Sequence, residues 1–216
     1  MGGTGKEGQG LAYRWLKAGY RVLIGSRQLE KAQAAAVELR SLAGEGAEVS
    51  GVTNPDAATQ AEVVVLTVPY AAHRPTLEGL KDCLGGKILV DVTVPLVPPK
   101  VTRVQMPPAG SAAQEALEIV GEGVQVVSAF QNISYEKLLN DEDIECDVLV
   151  CGTSKTARSV VLELVRAAGM VGFDAGPIEN SVVVEGLTSI LIGINKQFGV
   201  QSSGVMITGI PRDPTF

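Results

Sequence analysis

The strongest constraint on the fold is a regular alternation between short β-branched runs and longer amphipathic runs. Strand-like segments such as YRVLIG, EVVVLTVP and KILVDVTVP alternate with segments of helical spacing such as QLEKAQAAAVELRSLAG. Two of the strand-like runs are apolar on both faces, which is typical of strands buried in a parallel sheet. The pattern predicts a doubly wound, mostly parallel α/β sheet with right-handed crossovers and helices on both faces.

Composition excludes several classes of protein. The 216 residues are 45% apolar, which fits one large domain or one domain with an appendage. A net charge of −6 argues against nucleic acid or an anionic membrane as a partner. No apolar run reaches spanning length and no basic-then-apolar leader is present, so we expect a cytoplasmic protein. With three cysteines and His73 as the single histidine, we predict no metal site and no catalytic side chain.

The last long segment, NSVVVEGLTSILIGINKQFG, is predicted to be a helix with one apolar face, formed by Leu187, Ile190, Leu191 and Ile194. We therefore divide the chain into a nucleotide-binding domain over residues 1–178 and a C-terminal helical segment over residues 179–216. Because this helix follows the sheet, we expect its apolar face at a subunit interface, in a homodimer or higher homo-oligomer. Packing back on the same chain is the alternative.

The chain opens with a glycine-rich loop that satisfies the pattern G-x-G-x-x-G. The loop consists of Gly3, Thr4, Gly5, Lys6, Glu7 and Gly8. The first glycine would allow a tight turn, the second a close approach of a pyrophosphate, and the third close packing of a helix on the sheet. A helix follows at once, so its free N–H groups would face the phosphates. We predict a Rossmann-like dinucleotide site, with a purely structural glycine turn as the alternative.

The end of the next strand indicates which dinucleotide would bind. In NAD enzymes an acidic side chain about 20 residues after the glycines accepts hydrogen bonds from the adenosine ribose. Here that place holds Ser26 and Arg27, and Lys31 follows one helical turn later. A hydroxyl and two cations attract a 2′-phosphate that a carboxylate would repel, so we predict NADP rather than NAD. The alternative is that these are solvated charges at the start of a helix.

One element of this fold is absent from the sequence. A dinucleotide fingerprint normally follows a central strand, whereas almost nothing precedes this loop. We therefore expect the first strand to be missing from this chain. Because a gap at the sheet centre would expose two apolar strand edges, we expect several Val, Ile or Leu residues ahead of Met1 in the working protein.

The segment AAHRPTLEGLKDCLGG lies between the strand-like runs EVVVLTVP and KILVDVTVP, and it is predicted to be helical over most of its length. We place Pro75 in the first turn of that helix, where its missing N–H has no intrahelical partner to lose.

Taken in order, these segments resemble the F420H2:NADP oxidoreductases, which are NADPH-dependent coenzyme F420 reductases. The likeness runs from GGTGKEGQGLAYRWLKAGYRVLIGSR through VVVLTVPY, KILVDVTVPL, GSAAQEA, VVSAFQNIS and DAGPIENS to EGLTSILIGIN, nearly the whole chain. The chain departs from the family pattern at Gln131 and Ser134, where archaeal members have His and Pro. Both positions fall near the expected deazaflavin site.

The resemblance implies a hydride transfer between NADP(H) and the deazaflavin coenzyme F420. It puts the pyrophosphate on the loop 4–7 and the 2′-phosphate on Ser26, Arg27 and Lys31. Cofactor contacts are also implied after three strands, at Val68, Pro69, Val94, Pro95 and Tyr135. The two cofactors carry such chemistry, so no protein nucleophile is needed.

Three other functions stay open at this point. The cytosolic domain of the Steap metalloreductases shares several of these segments, so an NADPH-dependent flavin or ferric reductase of the same fold is one alternative. A non-catalytic NADP-sensing protein is another. An imine or small-carbonyl reductase would need a proton donor near the nicotinamide, and only Tyr70 and Tyr135 are placed for that role.

Overall fold

Strands and helices alternate as predicted in the computed structural model, which describes residues 1–210. The strands in that range are β1 (Val22–Ser26), β2 (Val49–Thr53), β3 (Val63–Leu66), β4 (Ile88–Asp91), β5 (Gln125–Ser128), β6 (Val148–Gly152) and β7 (Gly172–Gly176). The α-helices are α1 (Lys6–Lys17), α2 (Leu29–Ala43), α3 (Asn54–Gln60), α4 (Tyr70–Glu78), α5 (Ala112–Val120), α6 (Tyr135–Leu138), α7 (Lys155–Ala167) and α8 (Ser181–Phe198). Short 3₁₀ helices cover Lys81–Cys83 and Ile178–Asn180.

The strands form a mostly parallel arrangement in two groups. β1 pairs in parallel with β2, and the second group has the order β3-β4-β5-β6-β7. Within that group only the β5–β6 pair is antiparallel. The helices α1 and α7 cover one face with a buried apolar core, and α3, α4 and α5 cover the other. This is the Rossmann-like, doubly wound α/β architecture that the sequence predicts.

Between β1 and β3 the sheet is interrupted, and among residues 1–210 only residues 1–3 enter the gap. The Met1 amine donates a hydrogen bond to the Val65 carbonyl at 2.7 Å, and the Met1 carbonyl accepts one from the Thr67 amide at 2.9 Å. On the other side, the Gly3 amide donates to the Gly25 carbonyl at 3.2 Å. Because this short segment bonds to β3 on one side and to β1 on the other, it occupies the end of the place where a first strand would lie.

The rest of the gap is a cavity of about 740 Å³, which we call the strand slot. Its walls include Leu11, Trp15, Val22, Leu23, Val63 and Val64. Within residues 1–210 no strand lies between β1 and β3.

The C-terminal helix α8 packs on its own chain through one side and is exposed on the other. Val184 and Leu191 are buried, whereas Ile190 is 51% and Ile194 is 38% exposed. The predicted apolar face is therefore divided between an intramolecular contact and solvent. Residues 211–216 of the proposed C-terminal segment lie outside the described residues, and the division after residue 178 stays a proposal.

The placement of Pro75 was wrong. Helix α4 begins at Tyr70, directly after Pro69, so Pro75 is its sixth residue and lies inside the helix. The helix ends at Glu78, short of the predicted length, and a 3₁₀ helix takes over at Lys81. Among the helices of residues 1–210, none is both long and apolar enough to cross a bilayer.

Candidate functional site

The glycine loop turns where the sequence predicts, but at a different glycine. Gly2, and not Gly3, has the left-handed conformation, with φ at +69°. A Cβ on Gly2 would lie 2.8 Å from the Thr67 carbonyl oxygen, so a side chain there would also meet the end of β3. A Cβ on Gly8 would lie 2.7 Å from Thr67 Oγ1 and 2.8 Å from the Gly3 Cα. The predicted role of Gly8, close packing of α1 on the sheet, is therefore confirmed.

Helix α1 presents an uncapped N-terminus at the carboxyl edge of the sheet. Its first intrahelical bond runs from the Gln9 amide to the Gly5 carbonyl, at 2.9 Å. The amides of Lys6, Glu7 and Gly8 precede that bond and have no partner within the helix. Gly5 is the N-cap residue and contributes no side-chain acceptor. Free amides together with the helix dipole make this end of α1 suited to an anion.

The carboxyl group of Glu7, within this loop, is buried. Its Oε1 atom is buried and has no hydrogen-bond partner among the described residues. Burial raises the pKa of the Glu7 carboxyl to about 8. Burial therefore favours the uncharged carboxyl, which opposes a bound anion less than a carboxylate would.

The end of β1 places the predicted cationic cluster beside the same loop. Ser26 ends the strand, is 8% exposed, and its Oγ accepts a hydrogen bond from the Gln28 amide at 3.2 Å. Arg27 and Lys31 are exposed at the start of α2. Within residues 1–210 neither cation forms an ion pair with a carboxylate. The hydrogen bond from Gly3 to Gly25 brings the cluster and the glycine loop to one edge of the sheet.

The cofactor contacts predicted after β3 and β4 also lie at this edge of the sheet. Val68 and Pro69 connect β3 to α4, and Val94 and Pro95 follow β4. The Thr93 hydroxyl lies 3.5 Å from the Val68 carbonyl oxygen and joins the two loops. Pro69 is exposed and Val94 is partly exposed, whereas Pro95 is buried.

Tyr135 is brought to the glycine loop by helix α6. Its side chain is 37% exposed, and the Lys6 ammonium lies 4.8 Å from the centre of its ring. The Arg14 guanidinium of α1 fixes α6 by donating to the carbonyls of Leu138 at 3.0 Å and Lys137 at 3.0 Å. The structure thus gathers all of the predicted cofactor residues along one edge.

The sequence analysis missed a cluster of buried polar side chains next to the loops that follow β3 and β4. The Asp91 carboxylate contacts the His73 Nε2 atom at 2.7 Å, and both side chains are fully buried. Gln131, also buried, donates to the Asp91 carbonyl at 2.7 Å. The sequence analysis predicts no catalytic role for His73 and does not single out Asp91. The one available signal was an acidic residue at the end of an otherwise apolar strand.

Known proteins are similar to this chain along nearly its whole length. Residues 1–95 match the family described as NADP oxidoreductase coenzyme F420-dependent. The chain is 38% identical over 218 residues to the F420-dependent NADP reductase of Methanocaldococcus jannaschii, covering 97% of each chain. It is 40% identical over 219 residues to the F420-dependent NADP reductase of Methanothermobacter thermautotrophicus, covering 98% of this chain and 94% of that protein.

A solved structure from Arthrobacter sp. FB24, named as a candidate F420-dependent NADP-reductase, has the same fold. It superposes with a TM-score of 0.78 at 22% identity and covers 95% of this chain and 96% of its own.

Proposed function

This chain belongs to the family of F420-dependent NADP reductases, and on that premise we propose that it transfers a hydride between NADP(H) and coenzyme F420. The observation that carries the proposal is the identity of 38–40% to three such reductases along nearly the whole chain. The enzyme is an oxidoreductase, and NADP and F420 are its small-molecule partners.

The dinucleotide half of the site fits an NADP molecule. The free amides of residues 6–8 suit a pyrophosphate at the glycine loop, from Gly3 and Thr4 through Gly8, and burial favours the uncharged form of Glu7. Ser26, Arg27 and Lys31 then hold the 2′-phosphate, because two unpaired cations next to a hydroxyl supply charge-assisted hydrogen bonds. An NAD molecule has no group to satisfy this cluster.

The ring half of the site works through placement rather than through an acid, base or nucleophile. When bound, the two cofactors supply the hydride donor and acceptor. The residues of this chain orient the rings and exclude water from between them, since a hydride transfer depends on a short, fixed separation. We assign this task to Val68, Pro69, Val94, Pro95 and Tyr135.

A turnover assay tests the proposed reaction. Purified protein is mixed with NADPH and oxidised F420, and the loss of both absorbance bands is followed without oxygen. We expect equimolar consumption of the two, with FMN and a ferric chelate as much poorer acceptors. Faster reduction of FMN or ferric chelate would favour a flavin or ferric reductase. Tight NADP binding without turnover of any acceptor would favour an NADP sensor.

The exposed side of α8 supports a proposal about assembly. Val183 is 64%, Ile190 51%, Ile194 38% and Phe198 68% exposed, and their spacing of seven, four and four places them on one helical stripe. We propose that this stripe, which we call the α8 stripe, joins two copies in a homodimer. A contiguous apolar stripe of this kind is unusual on a monomer surface.

The assembly is tested by changing the stripe alone. Ile190→Glu places a charge in the proposed interface, and we expect the dimer to become monomeric by size-exclusion chromatography with light scattering. Leu42→Glu is the matched control, because Leu42 is 53% exposed on α2, outside the stripe. A wild-type monomer, or a dimer unaffected by Ile190→Glu, would contradict the proposal.

We place the working enzyme in the cytoplasm, where NADP(H) is available to it.

A further inference from the structure

Asp91 occupies an unusual position for a carboxylate. It is the last residue of β4, it is 0% exposed, and its neighbours along the strand are apolar. Burying a carboxylate is costly unless its oxygens are hydrogen-bonded. Here both are: Oδ1 accepts from the Thr93 amide at 3.0 Å, and Oδ2 accepts from His73 Nε2 at 2.7 Å.

The three residues that contact Asp91 lie in the three segments that follow β3, β4 and β5. His73 lies on α4, which begins directly after Val68 and Pro69. Thr93 immediately precedes Val94 in the loop after β4. Gln131, which donates to the Asp91 carbonyl at 2.7 Å, lies between β5 and Tyr135. Every loop to which we assign a ring contact is therefore tied to this one residue.

Two further bonds make the arrangement a network. The Thr93 hydroxyl reaches the Val68 carbonyl at 3.5 Å, and the Gln131 carbonyl accepts from the Thr188 hydroxyl of α8 at 2.8 Å. His73 stacks against Tyr70, with ring centres 5.9 Å apart. Buried hydrogen bonds of this kind restrict neighbouring segments to one arrangement, whereas apolar contacts alone would let the loops shift. The His73 Nδ1 and Gln131 Oε1 atoms take no part in the network and have no hydrogen-bond partner among the described residues.

We propose that Asp91 is a positioning residue for the hydride transfer, which acts by fixing the three ring-binding loops relative to one another through Thr93, His73 and Gln131. The inference rests on the proposed function. Asp91 is buried below the loops and acts through them, so it need not touch either cofactor. A displacement of about 1 Å between reacting groups lowers a rate by as much as roughly 100-fold.

The test compares Asp91→Ala with Asp91→Asn. Asp91→Ala removes both acceptors, and we expect kcat for F420 reduction to fall by roughly 10–100-fold. The Kd for NADPH should change less than about threefold, because the glycine loop and the Arg27 cluster do not depend on Asp91. Asn keeps an acceptor for the Thr93 amide and offers a donor to His73 in its other tautomer, so Asp91→Asn should restore most of kcat.

A matched core variant distinguishes the positioning role of Asp91 from a general loss of stability. Leu39→Ala, which opens the fully buried site of Leu39 between α2 and the β1–β2 pair, lowers stability without touching the ring loops. We expect it to leave kcat unchanged below its melting temperature. The proposal would be overturned if Asp91→Ala kept wild-type kcat, or if kcat and NADPH affinity fell together without rescue by Asn.

Hydrogen exchange supplies a readout that does not depend on the acceptor. In Asp91→Ala we expect faster amide exchange in all three loops, over residues 67–70, 92–96 and 129–135, but not in Leu39→Ala. Faster exchange confined to residues 92–94 would overturn the inference even if F420 proved to be the wrong acceptor. If the wild-type protein did not reduce F420, but Asp91→Ala still showed faster exchange in all three loops, the result would count against the proposed function alone.

Discussion

Two exposed cations are the residues that we propose select NADP over NAD. Positive charge at the N-terminus of a helix is electrostatically unfavourable, yet Arg27 and Lys31 stand at the start of α2. Ser26 beside them is almost buried and fixed by the Gln28 amide. A bound 2′-phosphate would offset the unfavourable placement of both charges.

Arg27→Ala tests this assignment directly. A charged hydrogen bond contributes about 1.5–3 kcal/mol, so we expect NADPH affinity to fall roughly 10–150-fold, with NADH affinity nearly unchanged. Isothermal titration with both dinucleotides measures the two effects. Arg21→Ala removes a cation just before the opposite end of the same strand and should alter neither affinity. An equal loss for NADPH and NADH in Arg27→Ala would show that Arg27 does not contact the 2′-phosphate.

Local sequence patterns were sufficient for the glycine loop but not for the residues beneath the rings. Gly8 could be predicted because a fixed spacing follows from the geometry of a turn leading into a helix. Asp91 and His73 are 18 residues apart, and their contact depends on how α4 lies against β4. No spacing rule gives a contact that only tertiary packing creates. The left-handed turn at Gly2 rather than Gly3 was missed because adjacent glycines fit the pattern equally well.

Among the helices, α8 and α5 are joined through a single buried acid. The Glu185 carboxylate accepts hydrogen bonds from the amides of Ala112 at 2.7 Å and Ala113 at 3.1 Å, at the N-terminus of α5. Ser111 caps the same helix by accepting from the Gln114 amide at 3.0 Å. Burial, and then the nearby charge of Asp91, raise the pKa of Glu185 to about 8.

The raised pKa makes the stability of the α8–α5 contact depend on pH. Between the usual pKa of 4.5 and the folded value of about 8, the folded protein binds more protons at Glu185 than the unfolded chain does. The free energy of unfolding therefore falls as pH rises through this range. Glu185→Gln removes the titration, so we expect its stability relative to wild type to increase from pH 5 to pH 8. Urea unfolding at several pH values measures the difference.

The comparison with a surface variant isolates Glu185 from the other titrating groups. Glu7 also has a raised pKa of about 8, but it is present in both proteins and cancels in the difference. Glu179→Gln, which removes an exposed acid beside α8, should leave the pH dependence as in wild type. Parallel curves for wild type and Glu185→Gln would refute the prediction.

The elements themselves could be read largely from hydrophobic periodicity, because it reports burial directly. Strands β3 and β4 and helices α2 and α8 lie where the pattern puts them. Pro75 shows where a local preference fails: α4 starts at the end of β3, and its start is set by the connection from Pro69 rather than by the proline further on. The antiparallel β5–β6 pair carries no local signature, since strand direction depends on the path of the connecting chain.

For the molecule as a whole, the strand slot is the place where the described strands are not paired along the sheet. The β1–β2 pair is joined to the five-stranded group by residues 1–3 and by helices packed across the faces. Along the rest of the slot, β1 and β3 face each other across a cavity of about 740 Å³ instead of sharing a strand. Unpaired strand edges with apolar walls favour the addition of an extended apolar segment.

We therefore expect a short apolar extension to stabilise the fold. Five residues alternating Val and Ile, joined ahead of Met1, would continue the path of residues 1–3 into the slot, parallel to β1 and β3. Burying two of these side chains contributes about 3–6 kcal/mol. For a chain of this size, that corresponds to a rise in Tm of at least roughly 6 °C. Differential scanning calorimetry measures the shift.

A Gly-Ser extension of the same length is the control, because it adds chain without apolar surface and should leave Tm within about 2 °C of the parent. Amide exchange tests the location: residues 22–26 and 63–66 should become protected by the Val-Ile extension and not by the Gly-Ser one. If both extensions changed Tm equally, or if protection appeared elsewhere in the sheet, the slot would not be a strand site. Protection confined to those two edges would show that a single added strand joins the β1–β2 pair to the five-stranded group, and with it the NADP half of the site to the ring half.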